Sequence, residues 1–178
     1  MRTPAPTDDV RTVCWFSAGC ASAVATKLTL HRGPATVAFC DTGAEDIDNL
    51  RFREDCITWF GQSVEVLKSD KYKNTWDLWE KRRYLSGVKG ALCTTELKVI
   101  PRLFFERDND THVFGYTADK ADMNRAERLR ENWPGYKFRF PLIERGLTKA
   151  NCLALIEGAG IAPPRVYAMG LPNANCIP

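Results

Sequence analysis

The stretch Val13-Cys14-Trp15-Phe16-Ser17-Ala18-Gly19-Cys20-Ala21-Ser22-Ala23-Val24 decides how this chain is read. Its first four residues are apolar and strand-like, its middle is small and polar, and its end opens a helical pattern. A strand that breaks into such a turn before a helix is a place to hold an anion. Small side chains at Ser17, Ala18, Gly19, Ala21 and Ser22 let backbone N–H groups approach a ligand. The helix behind them adds unpaired amides and the positive end of its dipole. A phosphate or sulfate fits, so the segment points to a bound nucleotide; tight packing alone is the competing explanation. Cys20 lies at the start of the helix, where a thiol pKa is expected to fall.

Two familiar phosphate loops are excluded. Gly-Lys-Ser/Thr is absent, so this is not a Walker A loop. Gly19 stands alone where a dinucleotide fingerprint needs three spaced glycines.

Working outward, apolar runs at 11–16, 35–40, 63–67, 112–116 and 136–140 read as strands. Helical patterns fill 20–32, 46–60, 119–132 and 148–158, with Asp46 and Thr148 as start signals and Gly33-Pro34 and Pro134-Gly135 as stops. The alternation predicts an α/β fold: a doubly wound, mostly parallel five-stranded sheet with helices on both faces. Ser17–Ser22, Asp41–Gly43 and Gly115–Ala118 each follow a strand directly, which puts them on one rim of that sheet. A chain of 178 residues, 44% hydrophobic, suffices for one domain over 1–178, with 68–110 as a helical insertion between the third and fourth strands. Asp108-Asn109-Asp110 reads as an exposed turn in it.

These segments resemble, in order, the motifs of the phosphoadenosine phosphosulfate reductases, a family of the PP-loop adenine nucleotide alpha-hydrolase superfamily. Ser17–Ser22 resembles the PP-loop Ser-Gly-Gly-x-Asp-Ser. Asp41-Thr42-Gly43 matches the family's Asp-Thr-Gly, and Cys93-Thr94-Thr95-Glu96-Leu97-Lys98-Val99-Ile100-Pro101 resembles its Cys-Cys-x-x-x-Lys-x-x-Pro segment. Gly115-Tyr116-Thr117 with Arg125, Pro141-Leu142, and Tyr167-Ala168-Met169-Gly170 before Cys176 complete the series, which spans about residues 11–178.

The resemblance implies an adenine nucleotide, ATP or a sulfonucleotide, bound by Ser17, Ala18, Gly19, Cys20, Ala21, Ser22, Asp41, Thr42, Gly43, Gly115, Tyr116, Thr117 and Arg125. It implies Lys98, Cys93 and Cys176 as the catalytic set, with Cys93 and Cys176 as ligands of an iron–sulfur cluster, and sulfur transfer or sulfonucleotide chemistry as the activity. A magnesium ion accompanies such chemistry, although no ligand set for it is visible. The chain also departs from the pattern. Ala21 replaces the PP-loop aspartate, Thr94 one cysteine of the pair, and Thr117 the arginine after the fourth strand, while the Glu-Cys-Gly-hydrophobic-His tail is missing. A nucleotide- or nucleic-acid-binding module without turnover is the alternative that these departures leave open.

Seven cysteines and no signal-like or membrane-spanning apolar run predict reduced thiols in a cytoplasmic protein that does not enter a membrane. Cys14, Cys40, Cys56 and Cys152 fall in apolar patterns and read as core. The net charge of +3 does not by itself imply nucleic acid. Within 68–84, however, Lys68, Lys71, Lys73, Lys81, Arg82 and Arg83 interleave with Tyr72, Trp76, Trp79 and Tyr84. Either the aromatics pack inward from an amphipathic helix, or they face an RNA or DNA acceptor. The motif cysteine two residues from the end suggests a homo-oligomer or a larger assembly. His31 and His112 have no partner at catalytic or ligand spacing.

Overall fold

The computed structural model describes residues 10–87, 90–171, 173 and 174. Cys176 lies outside them. In chain order the elements are β1 (Thr12–Trp15), α1 (Cys20–Leu30), β2 (Thr36–Cys40), α2 (Ile47–Phe60), β3 (Glu65–Leu67), α3 (Thr75–Arg82), β4 (Ser86–Gly87) and β5 (Gly90–Ala91). There follow α4 (Leu92–Thr94), a π-turn segment (Thr95–Val99), α5 (Ile100–Phe105), β6 (Thr111–Phe114), α6 (Lys120–Asn132), β7 (Lys137–Arg139) and α7 (Lys149–Gly158). Short 3-10 turns occupy Ile143–Arg145 and Arg165–Tyr167.

Five strands form one parallel sheet in the order β3-β2-β1-β6-β7, with Cys14 opposite both Val37 and Val113. This is the α/β sheet that the alternating pattern predicts, and its five strands sit within a residue or two of the expected runs. The strand order reverses between β1 and β6, where an open α/β sheet places its ligand crevice. β4 and β5 form a separate antiparallel hairpin that the periodicity does not reveal.

Alternation along the strands sorts the core. Cys14, Phe16, Val37 and Phe39 face α1, α2 and α7, and with Phe52, Cys56, Cys152 and Ile156 they build the larger apolar cluster. Val13, Trp15 and Ala38 face the other way, where the packed layer is thinner. That side is covered by α5, whose Phe105 packs on the cluster, and by α6, a polar helix that buries only Ala126. Its arginines lie on rings of the sheet, Arg125 4.6 Å from the Tyr116 centroid and Arg130 4.8 Å from that of Phe140. The sparse cover on this face leaves room for a cleft.

Local signals set the element ends. Asp46 caps α2 by accepting from the Asp48 N–H at 2.8 Å, and Gly61 closes the helix in the left-handed region at φ 75°. Thr148 and Asn151 form a capping box on α7. Pro101 brings no N–H to the helical ladder, and just before it the turn widens, with the Ile100 N–H reaching the Thr95 carbonyl five residues back. Among the described residues, no helix is long and apolar enough to cross a membrane.

The turn expected at Asp108-Asn109-Asp110 is present, closed by the Asp110 N–H on the Arg107 carbonyl at 3.0 Å, with Asp108 and Asn109 exposed but Asp110 buried. Asp110 is 2% exposed and paired with Arg11, whose Nε and Nη2 reach its carboxylate at 2.9 and 2.5 Å. Of the two directions left open for the aromatics of 68–84, Trp76 takes the outward one, since Thr75 and Leu78 are the buried residues of α3.

Candidate functional site

The loop between β1 and α1 is held by one hydroxyl. Ser22 Oγ accepts from the Ser17 N–H at 3.1 Å and donates to the Gly19 carbonyl at 2.9 Å, and Ser17 Oγ lies 3.1 Å away. Ala18 takes a left-handed conformation at φ 54°, which bends the chain sharply between β1 and α1. Gly19 is the cap residue of α1 and brings no side chain, and the helix has no acidic residue in its first turn. The N–H of Cys20 donates to the hydroxyl of Tyr167 at 3.3 Å, so a residue from near the chain's end stands over the helix N-terminus. Asn49 Nδ2 donates to the Ala174 carbonyl, which ties down the same closing segment.

Beside this loop lies a cleft of about 460 Å³. Trp15, Ala38, Cys40 and Phe114 form its floor, and Ser17, Gly19, Ala21, Ser22 and Gly115 its loop end. Lys98, Arg102, Arg125 and Lys149 bring four cations to its walls, against the carboxylates of Glu45 and Asp122. An anionic ligand is therefore favoured on charge. Arg125 is bound to Asp122 at 2.9 Å while it stacks on Tyr116.

Of the residues singled out from sequence, Ser17, Gly19, Ala21, Ser22, Lys98, Gly115, Tyr116 and Arg125 line this cleft. Ala18 and Cys20 do not. They are buried behind the loop, at 1% and 2% exposure. The expected drop in the Cys20 thiol pKa is reversed, because burial pushes it up to about 12. Asp41, Thr42 and Gly43 stand beside the cleft in a turn closed on itself. Asp41 Oδ1 accepts from the Gly43 N–H at 2.9 Å and Asp41 Oδ2 meets Lys68 at 2.9 Å, while Thr42 donates to Glu45 through its N–H and hydroxyl. Thr117 is likewise turned away, its hydroxyl 2.8 Å from Asp119 and 2.9 Å from Asp122.

Cys93 is half-buried and is not among the lining residues; its neighbour Thr94 takes that place. Among the described residues, no three His, Cys, Asp or Glu side chains converge in a way that holds a metal ion. Of the two cysteines that the resemblance assigns to a cluster, Cys93 belongs to no such group among the described residues and Cys176 lies outside them. Burial pushes the Cys14 thiol up to about 12 and that of Cys152 to about 11, as fits small apolar core residues. Cys40, expected in the core, is only half-buried on the cleft floor, with its thiol raised to about 11.

Sequence reasoning missed the far end of the cleft. There Arg102 sits 6.0, 5.9 and 5.2 Å from the rings of Trp15, Phe114 and Trp133, with its Nε 3.2 Å from Glu106 Oε2. Glu106 also accepts from the Tyr136 hydroxyl at 2.8 Å. The Trp15 indole N–H donates to His112 Nδ1 at 3.1 Å, which fixes His112 as neutral. Burial, aided by Arg102, lowers its pKa to about 4. The only sequence signal for this end was the aromatic character of the strands.

No family model matches the chain, and no curated protein matches it in sequence. In structure it is similar to the phosphoadenylyl-sulfate (PAPS) reductase from Candida auris, solved as a phosphate complex. The TM-score is 0.70 at 13% identity, over 95% of this chain and 82% of that one. The chain thus has a PAPS reductase-like fold.

Proposed function

We propose that the cleft binds an adenine nucleotide with its phosphate or sulfate group at Ser17–Ser22, and that the protein works in sulfur transfer, by adenylating an acceptor, or on a sulfonucleotide. One observation carries this reading: an anion-shaped strand–loop–helix turn opens at the sheet's reversal point onto the same cleft that Lys98, Arg102, Arg125 and Lys149 line. The fold's likeness to a reductase solved with phosphate supports it.

In this reading the aromatic floor takes the base, and Lys98 and Arg125 offset phosphate charge. In the adenylation form, an acceptor oxygen bonds to the α-phosphorus as the bond to pyrophosphate breaks. The loop amides and Lys98 then stabilise charge on the leaving group. No step is assigned to a metal or cluster.

Binding without turnover is the second reading, and the thiols favour it. Cys93 lies outside the cleft lining, and the Cys40 thiol that does line it is protonated near neutral pH.

Titration calorimetry with ATP, adenosine phosphosulfate and PAPS tests the first reading. One of them should bind, and Lys98→Ala and Arg125→Ala should each weaken it by about tenfold, the scale of a charge-assisted contact. No binding by any of them overturns the reading. Product assays decide between the two readings: pyrophosphate released from ATP with an acceptor, or sulfite released from a sulfonucleotide with a dithiol reductant supplied, means turnover, and a bound nucleotide with no product leaves binding.

A further inference from the structure

Helix α3 buries Thr75 and Leu78 and turns Trp76 outward, where it is 65% exposed. The ring is braced. Trp79, half-buried, meets it edge-on with centroids 5.1 Å apart and planes at 85°. A large indole held upright in water contributes nothing to the core, and its orientation is fixed in advance of any partner.

The surroundings of Trp76 are cationic. Between residues 68 and 84 the chain carries six Lys and Arg against three Asp and Glu. Lys81 is half-exposed, bonded to Asp77 at 3.0 Å and 5.8 Å from the Tyr72 ring, and exposed Tyr84 and Leu85 follow the helix. Lys68, Ser69 and Lys71 also line a groove of about 370 Å³ shared with Phe104, an aromatic that is 85% exposed.

This surface adjoins the cleft. A Cβ on Gly43 would lie 2.7 Å from Asn74 Cβ and 3.0 Å from the Lys73 carbonyl, so the turn before α3 is packed onto the loop after β2. Lys68 binds Asp41 of that same loop. Cys40 and Glu45, on either side of the loop, line the nucleotide cleft.

We propose that the Lys68–Arg83 surface binds single-stranded nucleic acid, with Trp76 stacking on an unpaired base and the lysines and arginines on phosphates, and directs the strand toward the cleft mouth. Exposed aromatics among cations are the means by which proteins hold single strands. Protein interfaces, in contrast, are depleted in lysine. A duplex would meet the cations but leave Trp76 without an unstacked base. The proposal names an acceptor class for the reading above, and rests on that reading only for any chemistry done on the strand.

The test is fluorescence anisotropy with labelled oligo-dT and oligo-U and a duplex of equal length, at low and moderate salt, with ATP, adenosine phosphosulfate and PAPS titrated calorimetrically on the same samples. The single strands should bind more tightly than the duplex and weaken as salt rises. Trp76→Ala should lose about tenfold or more, and Trp76→Phe should recover most of that, with ATP binding unchanged in both. Lys81→Glu/Arg83→Glu should reduce the salt slope. Tighter binding of the duplex, unchanged affinity in Trp76→Ala, or no binding at low salt overturns the proposal. Strand binding with no binding of ATP, adenosine phosphosulfate or PAPS overturns the cleft reading alone. Because Trp76 is mostly exposed, the variant should keep the wild-type melting temperature, which checks that a loss is not unfolding.

Discussion

Gly115 presses against Ser22: a Cβ placed on it would lie 2.5 Å from Ser22 Cα and 2.6 Å from Ser22 N. The end of β6 thus meets the first turn of α1 backbone to backbone, with no room for a methyl group. The glycine is needed for space, because its backbone is not in the left-handed region. Gly115→Ala should cost about 2 kcal/mol or more, since neither backbone can yield cheaply. It should also displace the loop that Ser22 holds together. Urea denaturation reads the first effect and nucleotide calorimetry the second; a variant with wild-type stability and affinity would mean that the two segments are not in contact.

Ala18 adopts φ 54° while 1% exposed. An alanine there bears a left-handed penalty of about 1 kcal/mol. Ala18→Gly removes that strain but also loses a packed methyl and gains unfolded-state entropy, so its net stability change should stay within about 1 kcal/mol. Ala18→Val should destabilise by roughly 2 kcal/mol or more, since a β-branched side chain is an outlier in this region and has no space. Equal stability of the two variants in chemical denaturation would refute the left-handed assignment.

Much of this site was legible in the chain because its cause is local. An apolar strand, a small-residue loop and a helix start are written consecutively from Val13 to Val24, and the parallel sheet follows from the repetition of that pattern. What was not legible depends on partners far away in sequence. Asp110 reads as an exposed turn residue until Arg11, 99 positions earlier, is placed beside it. Tyr167 reaches Cys20 across 147 positions. Cys40 and Glu45 flank the conspicuous Asp41-Thr42-Gly43, yet they are the residues that line the cleft. Trp76 and Trp79 share a helical face by spacing, and only the packing of Thr75 and Leu78 decides which of the two is turned to solvent.

His112 is 2% exposed, accepts from Trp15, and has its pKa lowered to about 4 from an ordinary 6.5. In the unfolded chain it protonates near 6.5, so between those values the unfolded state binds the extra proton. Its contribution is then complete above pH 6.5 and declines as pH falls toward 4, by roughly 3 kcal/mol in all. Melting temperature should fall across that window. His112→Gln keeps an acceptor for the indole N–H but does not titrate, so its melting curve should be flatter between pH 6.5 and 4. Identical slopes would show that His112 is not the group responsible.

Arg102 and Glu106 form a pair with side chains 11% and 6% exposed, walled by Trp15, Phe114 and Trp133. Replacing Arg102 with Met leaves the Glu106 carboxylate in an apolar surround with only the Tyr136 hydroxyl as partner. Breaking one side of such a buried pair costs on the order of 3–5 kcal/mol, more than the pair itself contributes. The double variant Arg102→Met/Glu106→Gln removes the stranded charge, so it should be more stable than Arg102→Met alone. If Arg102 serves only the fold, nucleotide affinity in the double variant should match wild type. If its charge acts on the ligand at the far end of the cleft, affinity should stay low after stability has returned. Denaturation and calorimetry on the two variants therefore separate the packing role of this arginine from its role in binding.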